Sequence, residues 1–512
     1  MLRVLTAAQM RQAELEAEAR HGMPSALLME NAGRGLAEVA RSVAGPEGRF
    51  TVLCGPGNNG GDGLVAARFI HEGGARVGVA LVGDAAKLTV EAKRNLAALK
   101  GFGVVPRALA SLPELGPGDV VVDALFGTGL SRAPAGAFSE AIGVISRWRA
   151  AGAKVVAADV PSGLQSDTGE PFSPCVEADV TVAFGFLKPG QVLEPGASLC
   201  GRVRRVDIDM GGEAAKELSG PMLLLVVEEA DARGTLPVRR ADSHKGTFGH
   251  VLVVAGSRGK TGAAALVAKA ALRSGAGLVT VAARGDALDT IQSHSAEIMG
   301  TPLDGTGPLG LGDLDALLAA AEGKDALVMG PGIPRGPQTG ALIGELLSRM
   351  ELPAVLDADA LNAVAMDLSV LRRAKAPVVL TPHPGEMARL TGKPTKEVQM
   401  RRLECVKQLS AGLGVTVVLK GDRTLTAHPD GHVFINTTGN PGMATGGSGD
   451  VLSGLCGAFL AQGFPMPDAV WTAVYAHGLA GDLVAARRGQ LGLIAGDLVE
   501  QGLCDLWVRW GR

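Results

Sequence analysis

Phe50-Thr51-Val52-Leu53-Cys54-Gly55-Pro56-Gly57-Asn58-Asn59-Gly60-Gly61-Asp62-Gly63 runs a short apolar segment into a glycine-rich loop, and a helical stretch follows. A continuous apolar strand that ends in glycines and re-enters as a helix is the unit from which parallel sheets covered on both faces are built. Formally the loop contains G-x-G-x-x-G, and Asp84 stands roughly 20 residues further on after another strand-like run, as in a dinucleotide dehydrogenase. Asn58-Asn59 and the doubled glycines make an amide-rich nest that this fingerprint does not require. The motif by itself leaves the chemistry open.

The same alternation recurs outward along the chain. Apolar runs at Val120–Asp123, Val155–Asp159, Val251–Ala255, Ala326–Met329, Val378–Leu380 and Val415–Leu419 end in glycine loops, with alanine-rich helical stretches between them. The pattern predicts an α/β protein with parallel sheets. Thr6-Ala7-Ala8-Gln9 fits a capping box and predicts a helix running to about Arg20. Alternation weakens between about Asp209 and Arg240 and restarts at Gly249. A chain of 512 residues exceeds one ordinary core, so two domains are expected, residues 1–220 and 221–512.

Composition narrows the function classes. The chain is 46% hydrophobic and 20% charged with a net charge of −3, and it shows no basic stripe with interleaved aromatics. Nucleic acid and acidic membranes are therefore not expected partners. The six cysteines have no close pair and no zinc spacing, as expected of small core residues in a reducing compartment. Arg3, Arg11 and Glu14 precede any sustained apolar stretch, so no secretory leader is expected, and no run is long enough to span a bilayer. A cytoplasmic location is the expectation, and so is a homo-oligomer.

Two further strand ends add candidate chemistry in the first half: Asp123-Ala124-Leu125-Phe126-Gly127-Thr128-Gly129-Leu130 and Asp159-Val160-Pro161-Ser162-Gly163. Ligands of open α/β sheets collect at such ends, so three loops can share one crevice. Oxygens of Asn59, Asp123 and Ser162 suit a hard cation. Each acid taken separately also fits a simple turn cap.

With Pro24-Ser25-Ala26-Leu27-Leu28-Met29-Glu30-Asn31-Ala32-Gly33, these motifs resemble the NAD(P)H-hydrate epimerase family over essentially all of residues 1–220. The resemblance implies a Rossmann-like three-layer domain that interconverts the R and S forms of NAD(P)H hydrated at nicotinamide C6. It implies substrate contacts at Asn58, Asn59, Gly60, Gly61 and Asp62, at Gly127, Thr128, Gly129, Leu130, Ser131, Arg132 and Ala133, and at Asp159. It also implies potassium at Asn59, Asp123 and Ser162, with Asp159 as the acid/base group.

In the second half, Gly259-Lys260-Thr261 suggests a P-loop, but position 254 is Val where that motif needs glycine. Thr445-Gly446-Gly447-Ser448-Gly449-Asp450 opens a helix-like run, a nest that suits an anion with a carboxylate at its edge. A capped helix with Asp in its first turn reads equally well. His383, between two prolines and near Glu386, is either structural or functional. Lys420 and Arg423 fit phosphate neutralisation or, by default, a solvated surface pair.

Taken with Gly330-Pro331-Gly332 and Thr381-Pro382-His383-Pro384-Gly385-Glu386, these segments resemble the ribokinase-like superfamily, and within it NAD(P)H-hydrate dehydratase, over about residues 221–512. The resemblance implies an ADP- or ATP-dependent reaction on the S-hydrate (NADHX or NADPHX), with ADP favoured and magnesium bridging phosphates. Ala263, Gly332, His383 and Asp450 would contact the hydrate. Lys420, Gly421, Asp422, Arg423, Thr424 and Gly449 would hold the nucleotide, and Asp450 would be the base. The alternative is a ribokinase-like vitamin or sugar kinase carrying a regulatory dinucleotide-binding module.

Overall fold

The computed structural model describes residues 1–211 and 223–512. They fall into two compact units, one from each half of the chain. The boundary expected near residue 220, with its Gly212 and Leu218–Pro221 interruptions, lies outside the described residues.

In the N-terminal unit the first helix is Ala7–His21, with Thr6 at its N-cap and the reciprocal Thr6–Gln9 capping box that the sequence predicts. Six strands form one all-parallel sheet in the order Val77–Leu81, Phe50–Cys54, Val120–Ala124, Lys154–Ala158, Val180–Phe184, Arg202–Val206. Each of the apolar runs read from the sequence in this half is a strand. Side chains alternate between two cores, Val52, Val122, Val156 and Val182 on one face and Leu53, Val121, Val155 and Ala157 on the other. Both faces are dry, so the strands read as unbroken apolar runs rather than alternating ones. Strand order reverses beside Phe50–Cys54, which has Val77–Leu81 on one side and Val120–Ala124 on the other. The crevice therefore opens where the loops after Cys54 and Ala124 diverge.

The C-terminal unit repeats the principle with another order: Leu224–Val226, Val433–Ile435, Leu425–Ala427, Thr416–Leu419, Val378–Leu380, Ala354–Leu356, Ala326–Met329, His250–Val254, Leu278–Arg284, Met299–Leu303. Pairing is parallel except on the two sides of Leu425–Ala427, which are antiparallel. Here the reversal falls at His250–Val254, between Ala326–Met329 and Leu278–Arg284. The loop that contains Gly259-Lys260-Thr261 follows that strand.

Helix Ser448–Ala461, which carries Asp450 in its first turn, packs against helix Thr261–Arg273 and the sheet. Close approach sets its position. A Cβ on Gly454 would lie 2.4 Å from the Val267 carbonyl oxygen, and one on Gly457 would lie 2.2 Å from Val328 Cγ2. A backbone carbonyl yields less readily than a side-chain tip. Gly454→Ala is expected to lower stability by about 1–3 kcal/mol through overpacking, read as a lower midpoint in chemical denaturation of the full chain.

Candidate active sites at strand ends

In the N-terminal crevice a cavity of ≈ 510 Å³ is bounded by the loops after Cys54, Ala124 and Ala158, by helix Ser25–Val43 and by the first helix. Of the predicted residues, Asn58, Asn59, Asp62, Gly127, Thr128, Gly129, Leu130 and Asp159 line it. Gly60 and Gly61 lie buried behind the wall, and Ser131, Arg132 and Ala133 are exposed beyond its lining. Gly60 is fixed by sterics: its Cβ would fall 1.9 Å from the Gly55 carbonyl oxygen, and a Cβ on Gly55 would fall 2.0 Å from that of Leu125. Only glycine lets the two loops touch. Gly33, within the Pro24–Gly33 motif, likewise seats helix Ser25–Val43 against Val65 and the Asp62 carbonyl.

Asp159 adopts φ +60° at the end of its strand, a conformation that costs a side-chain-bearing residue about 1–3 kcal/mol. Its surroundings hold it there. Its carboxylate is ion-paired with Lys188 Nζ and accepts from the Phe184 N–H at 3.3 Å, and its carbonyl accepts from Gln191 Nε2 at 2.5 Å. Lys188 is fully buried, and its ammonium also donates to the Phe184 carbonyl at 2.9 Å. Burial, reinforced by the charges of Asp159 and Glu14 and opposed by Lys188, raises the Asp62 carboxyl well above the usual carboxylate range.

Asn59, Asp123 and Ser162 also come together. Ser162 Oγ donates to Asp123 Oδ1 at 2.6 Å, Ser162 N–H donates to Asp123 Oδ2 at 2.7 Å, and Asn59 Nδ2 donates to the Phe126 carbonyl at 2.9 Å. Burial pushes Asp123 up to about 6 despite these hydrogen bonds. Among the described residues no Lys or Arg side chain pairs with it.

The C-terminal crevice is built around Lys420. Its ammonium pairs with Asp357 Oδ1 at 2.8 Å, and Ser453 Oγ donates to Asp357 Oδ2 at 2.6 Å. Burial pushes Asp450 up to about 7, the negative charges of Asp357 and Glu386 adding to the effect and Lys420 opposing it. Glu386 is raised by burial as well. His383 caps its own helix, accepting from the Gly385 N–H at 3.0 Å, while Glu386 accepts from the His383 N–H at 2.9 Å. Both readings of His383 meet here, because the capping residue is also half exposed at the end of its strand. A Cβ on Gly449 would come within 3.0 Å of Lys420 Nζ, so the glycine nest and the lysine adjoin. Gly332 abuts both Lys260 and Ala263. Gly421, Asp422, Arg423 and Thr424 form the turn after Lys420, with Arg423 at φ +52°.

Several participants carry no motif. Lys188 and Glu14 reach the first crevice from a short helix N-cap and from the first helix, and neither lies in a segment that the sequence marks as functional. In the second, Asp357 and Ser453 hold Lys420. His477, kept neutral by burial that pulls it down to about 4, donates from Nε2 to the Ser448 carbonyl at 2.9 Å and braces the nest. All six cysteines are free. Among the described residues no helix is long and apolar enough to cross a membrane.

Comparison with known proteins matches both halves. The family described as YjeF-related protein N-terminus matches residues 25–190, and the family described as NAD(P)H-hydrate dehydratase matches residues 251–502. The chain is 43% identical over 509 residues to a protein of Moorella thermoacetica named bifunctional NAD(P)H-hydrate repair enzyme Nnr, covering 97% of this chain and 95% of that one. A protein of the same name from Escherichia coli is 35% identical over 494 residues, covering 95% and 91%. A solved structure of the ADP/ATP-dependent NAD(P)H-hydrate dehydratase from Bacillus subtilis, co-crystallised with ATP and Mg2+, aligns with 34% identity and a TM-score of 0.49, covering 56% of this chain and 98% of that one.

The position of Asp450 has a consequence for stability. Its folded value of about 7 lies above the unfolded value of about 3.9. The native state therefore keeps its full stability below the unfolded value and loses part of it as pH rises through 7. Asp450→Asn is uncharged throughout. Its melting temperature is expected to exceed that of the parent by a margin that grows from pH 5 to pH 8, measured by thermal denaturation across that range.

Proposed function

The chain belongs to the bifunctional NAD(P)H-hydrate repair enzymes, an isomerase joined to a lyase, and from that premise we propose how its two clefts divide the work between named residues. The N-terminal cleft takes the hydrate, and Asp159 moves the proton of its C6 hydroxyl during epimerisation. The observation that carries this is the placement of Asp159 on the cavity wall, with its carboxylate fixed by Lys188 and the Phe184 N–H. A carboxylate held as an ion pair beside a cavity is ready to accept a proton from a bound hydroxyl. Asn58, Asn59, Asp62 and Gly127–Leu130 form the surface that receives the dinucleotide.

Potassium is proposed at Asn59, Asp123 and Ser162. The donor set fits: a buried carboxylate, a hydroxyl and an amide, all able to offer hard oxygens, and burial raises Asp123. A bound monovalent ion would supply positive charge beside Asp123 and favour its ionised form. The loops after Ala124 and Ala158, already joined by Ser162 and Phe126, would then be tied more firmly.

The C-terminal cleft takes the S-hydrate with ADP or ATP. Asp450, poised near neutrality, removes the C6 hydroxyl proton as that oxygen attacks the terminal phosphoryl group. The ring nitrogen then pushes its electrons towards C6, the C6–O bond breaks with departure of phosphate, and loss of a proton from C5 to solvent restores the C5=C6 double bond of the dihydronicotinamide. Lys420 and the N–H groups of the nest at Gly447–Asp450 face the charge that develops on the phosphoryl oxygens. The carboxylates of Asp357, Glu386 and Asp450 would suit a magnesium ion carried on the nucleotide, which when bound would supply charge neutralisation of the phosphates. Gly332, Ala263 and His383 bound the hydrate. We further propose that ADP is the preferred donor and that the enzyme is a cytoplasmic homo-oligomer. A net charge of −3 supports small-molecule partners rather than nucleic acid or membrane.

The test is recovery of NADH absorbance from chemically hydrated NADH with magnesium and ADP or ATP. A mixture of epimers is expected to be recovered almost completely. Recovery that stops at the S fraction would overturn the epimerase assignment, and recovery that ignores the nucleotide would overturn the dehydratase assignment. A kinase would instead release a stable phosphorylated product. Asp450→Ala is expected to abolish recovery while R and S forms still interconvert, and Asp159→Ala to slow only conversion of the R form, each by about 10²–10⁴-fold. Replacing potassium by choline is expected to lower the thermal midpoint of the parent chain but not of Asp123→Asn.

A further inference from the structure

The epimerase cleft holds more acid than it can ionise. Asp159, Asp62 and Glu14 all line one cavity, and the buried Lys188 ammonium is bound directly to Asp159. Asp62 is itself buried, on the first turns of helix Asn58–Glu72, and the charges acting on it are Asp159, Glu14 and Lys188. The neighbouring groups do not relieve it. Arg11 acts on Glu14 at the exposed rim, Cys54 beneath is a buried thiol kept protonated, and Arg68, further along the same helix, is engaged with Glu30 at 2.6 Å. Asp62 and Asp159 share one cavity with a single buried ammonium, and that ammonium is bonded to Asp159 rather than to Asp62.

We propose that Asp62 is the proton donor and Asp159 the proton acceptor of epimerisation, with Lys188 as the positioning residue that fixes which of the two is charged. This rests on the assignment of the cleft to hydrate epimerisation. Raising of Asp62 by burial agrees with the geometry, since it leaves that carboxyl protonated at neutral pH.

The step balances as a ring opening. The Asp159 carboxylate takes the proton of the C6 hydroxyl, and the oxygen electrons form C6=O as the C6–N1 bond breaks. The electron pair of that bond goes to N1, which takes the proton of Asp62. Rotation about C5–C6 turns the aldehyde over. N1 then attacks C6 from the other side, returning its proton to Asp62, while Asp159 returns the other proton to oxygen. The nicotinamide part of the substrate remains uncharged and the set Asp62, Asp159, Lys188 keeps its total charge throughout. Departure of the hydroxyl as water would instead leave a cationic ring beside the Lys188 ammonium, which a buried site disfavours.

The experiment follows R-to-S conversion of hydrated NADH by chromatography, with the full chain and its variants, above the uncatalysed rate. For the parent enzyme kcat is expected to fall on the alkaline side as Asp62 loses its proton. In Asp62→Asn, kcat should drop by about 10²–10⁴-fold with KM little changed and that alkaline limb gone, whereas Asp62→Glu should retain the limb. In Lys188→Met, Asp159 loses the partner that fixes its carboxylate and kcat should fall by about 10²-fold with KM little changed, with Lys188→Arg restoring part of the loss. Asp62→Asn that turns over at the parental rate, or that is slowed with the alkaline limb intact, overturns the proposal. So does Lys188→Met that turns over at the parental rate. A parent enzyme that does not accelerate conversion at all would instead remove the epimerase assignment on which the proposal stands.

Discussion

Each cleft is organised around one lysine ammonium withdrawn from water among more carboxylates than it can neutralise. Lys188 binds Asp159 with Asp62 and Glu14 near by, and Lys420 binds Asp357 with Asp450 and Glu386 near by. Removing one partner of such a buried pair costs about 3–5 kcal/mol, because the other charge is left without compensation. The lysines are therefore constraints on structure as well as chemistry. They set which acid is ionised, and by exclusion which acid retains its proton.

That arrangement depends on loops at the carboxyl ends of parallel strands, where Asp159 follows Lys154–Ala158, Asp357 follows Ala354–Leu356 and Lys420 follows Thr416–Leu419. Helices supply the rest, Asp62 from Asn58–Glu72 and Asp450 from Ser448–Ala461. Of the non-glycine residues described with positive φ, Asp159, Ala358 and Arg423 lie in loops that follow strands. Asp159 is bound on three sides by Lys188, Phe184 and Gln191, and Asp357, next to Ala358, is bound by Lys420 and Ser453. The strain at these positions is held by the same hydrogen bonds that orient the acids, so positioning and strain have one cause.

Much of this is legible in the sequence. Strand ends rich in glycine and acid, at Asn58–Asp62, Asp123 and Asp159, mark the first crevice because strand, loop and helix signals are local. The Thr6–Gln9 box and the helix it starts are local too, and the structure reproduces them. Partners from distant parts of the chain were not legible. Nothing in Leu187-Lys188-Pro189 indicates that the lysine is buried, and Asp357, Ser453 and His477 belong to segments that read as ordinary strand end and helix. Lys420 shows the limit most clearly: the default for a lysine in a polar turn is a solvated surface charge, yet Asp357, 63 residues earlier in the chain, draws it inward. Which glycines are indispensable was equally hidden, since the need at Gly60 comes from the Gly55 carbonyl folded back upon it.

Carbon-13 NMR titration of the aspartate side-chain carboxyls in the native chain, assigned through single Asn substitutions, addresses the shared ammonium directly. The account predicts that Asp450 titrates near 7, and that Asp62 is still protonated when ordinary surface aspartates, near about 3.9, have long been ionised. If both carboxyls titrate together with the surface aspartates, no acid in either cleft is held protonated by its neighbours, and the account is wrong.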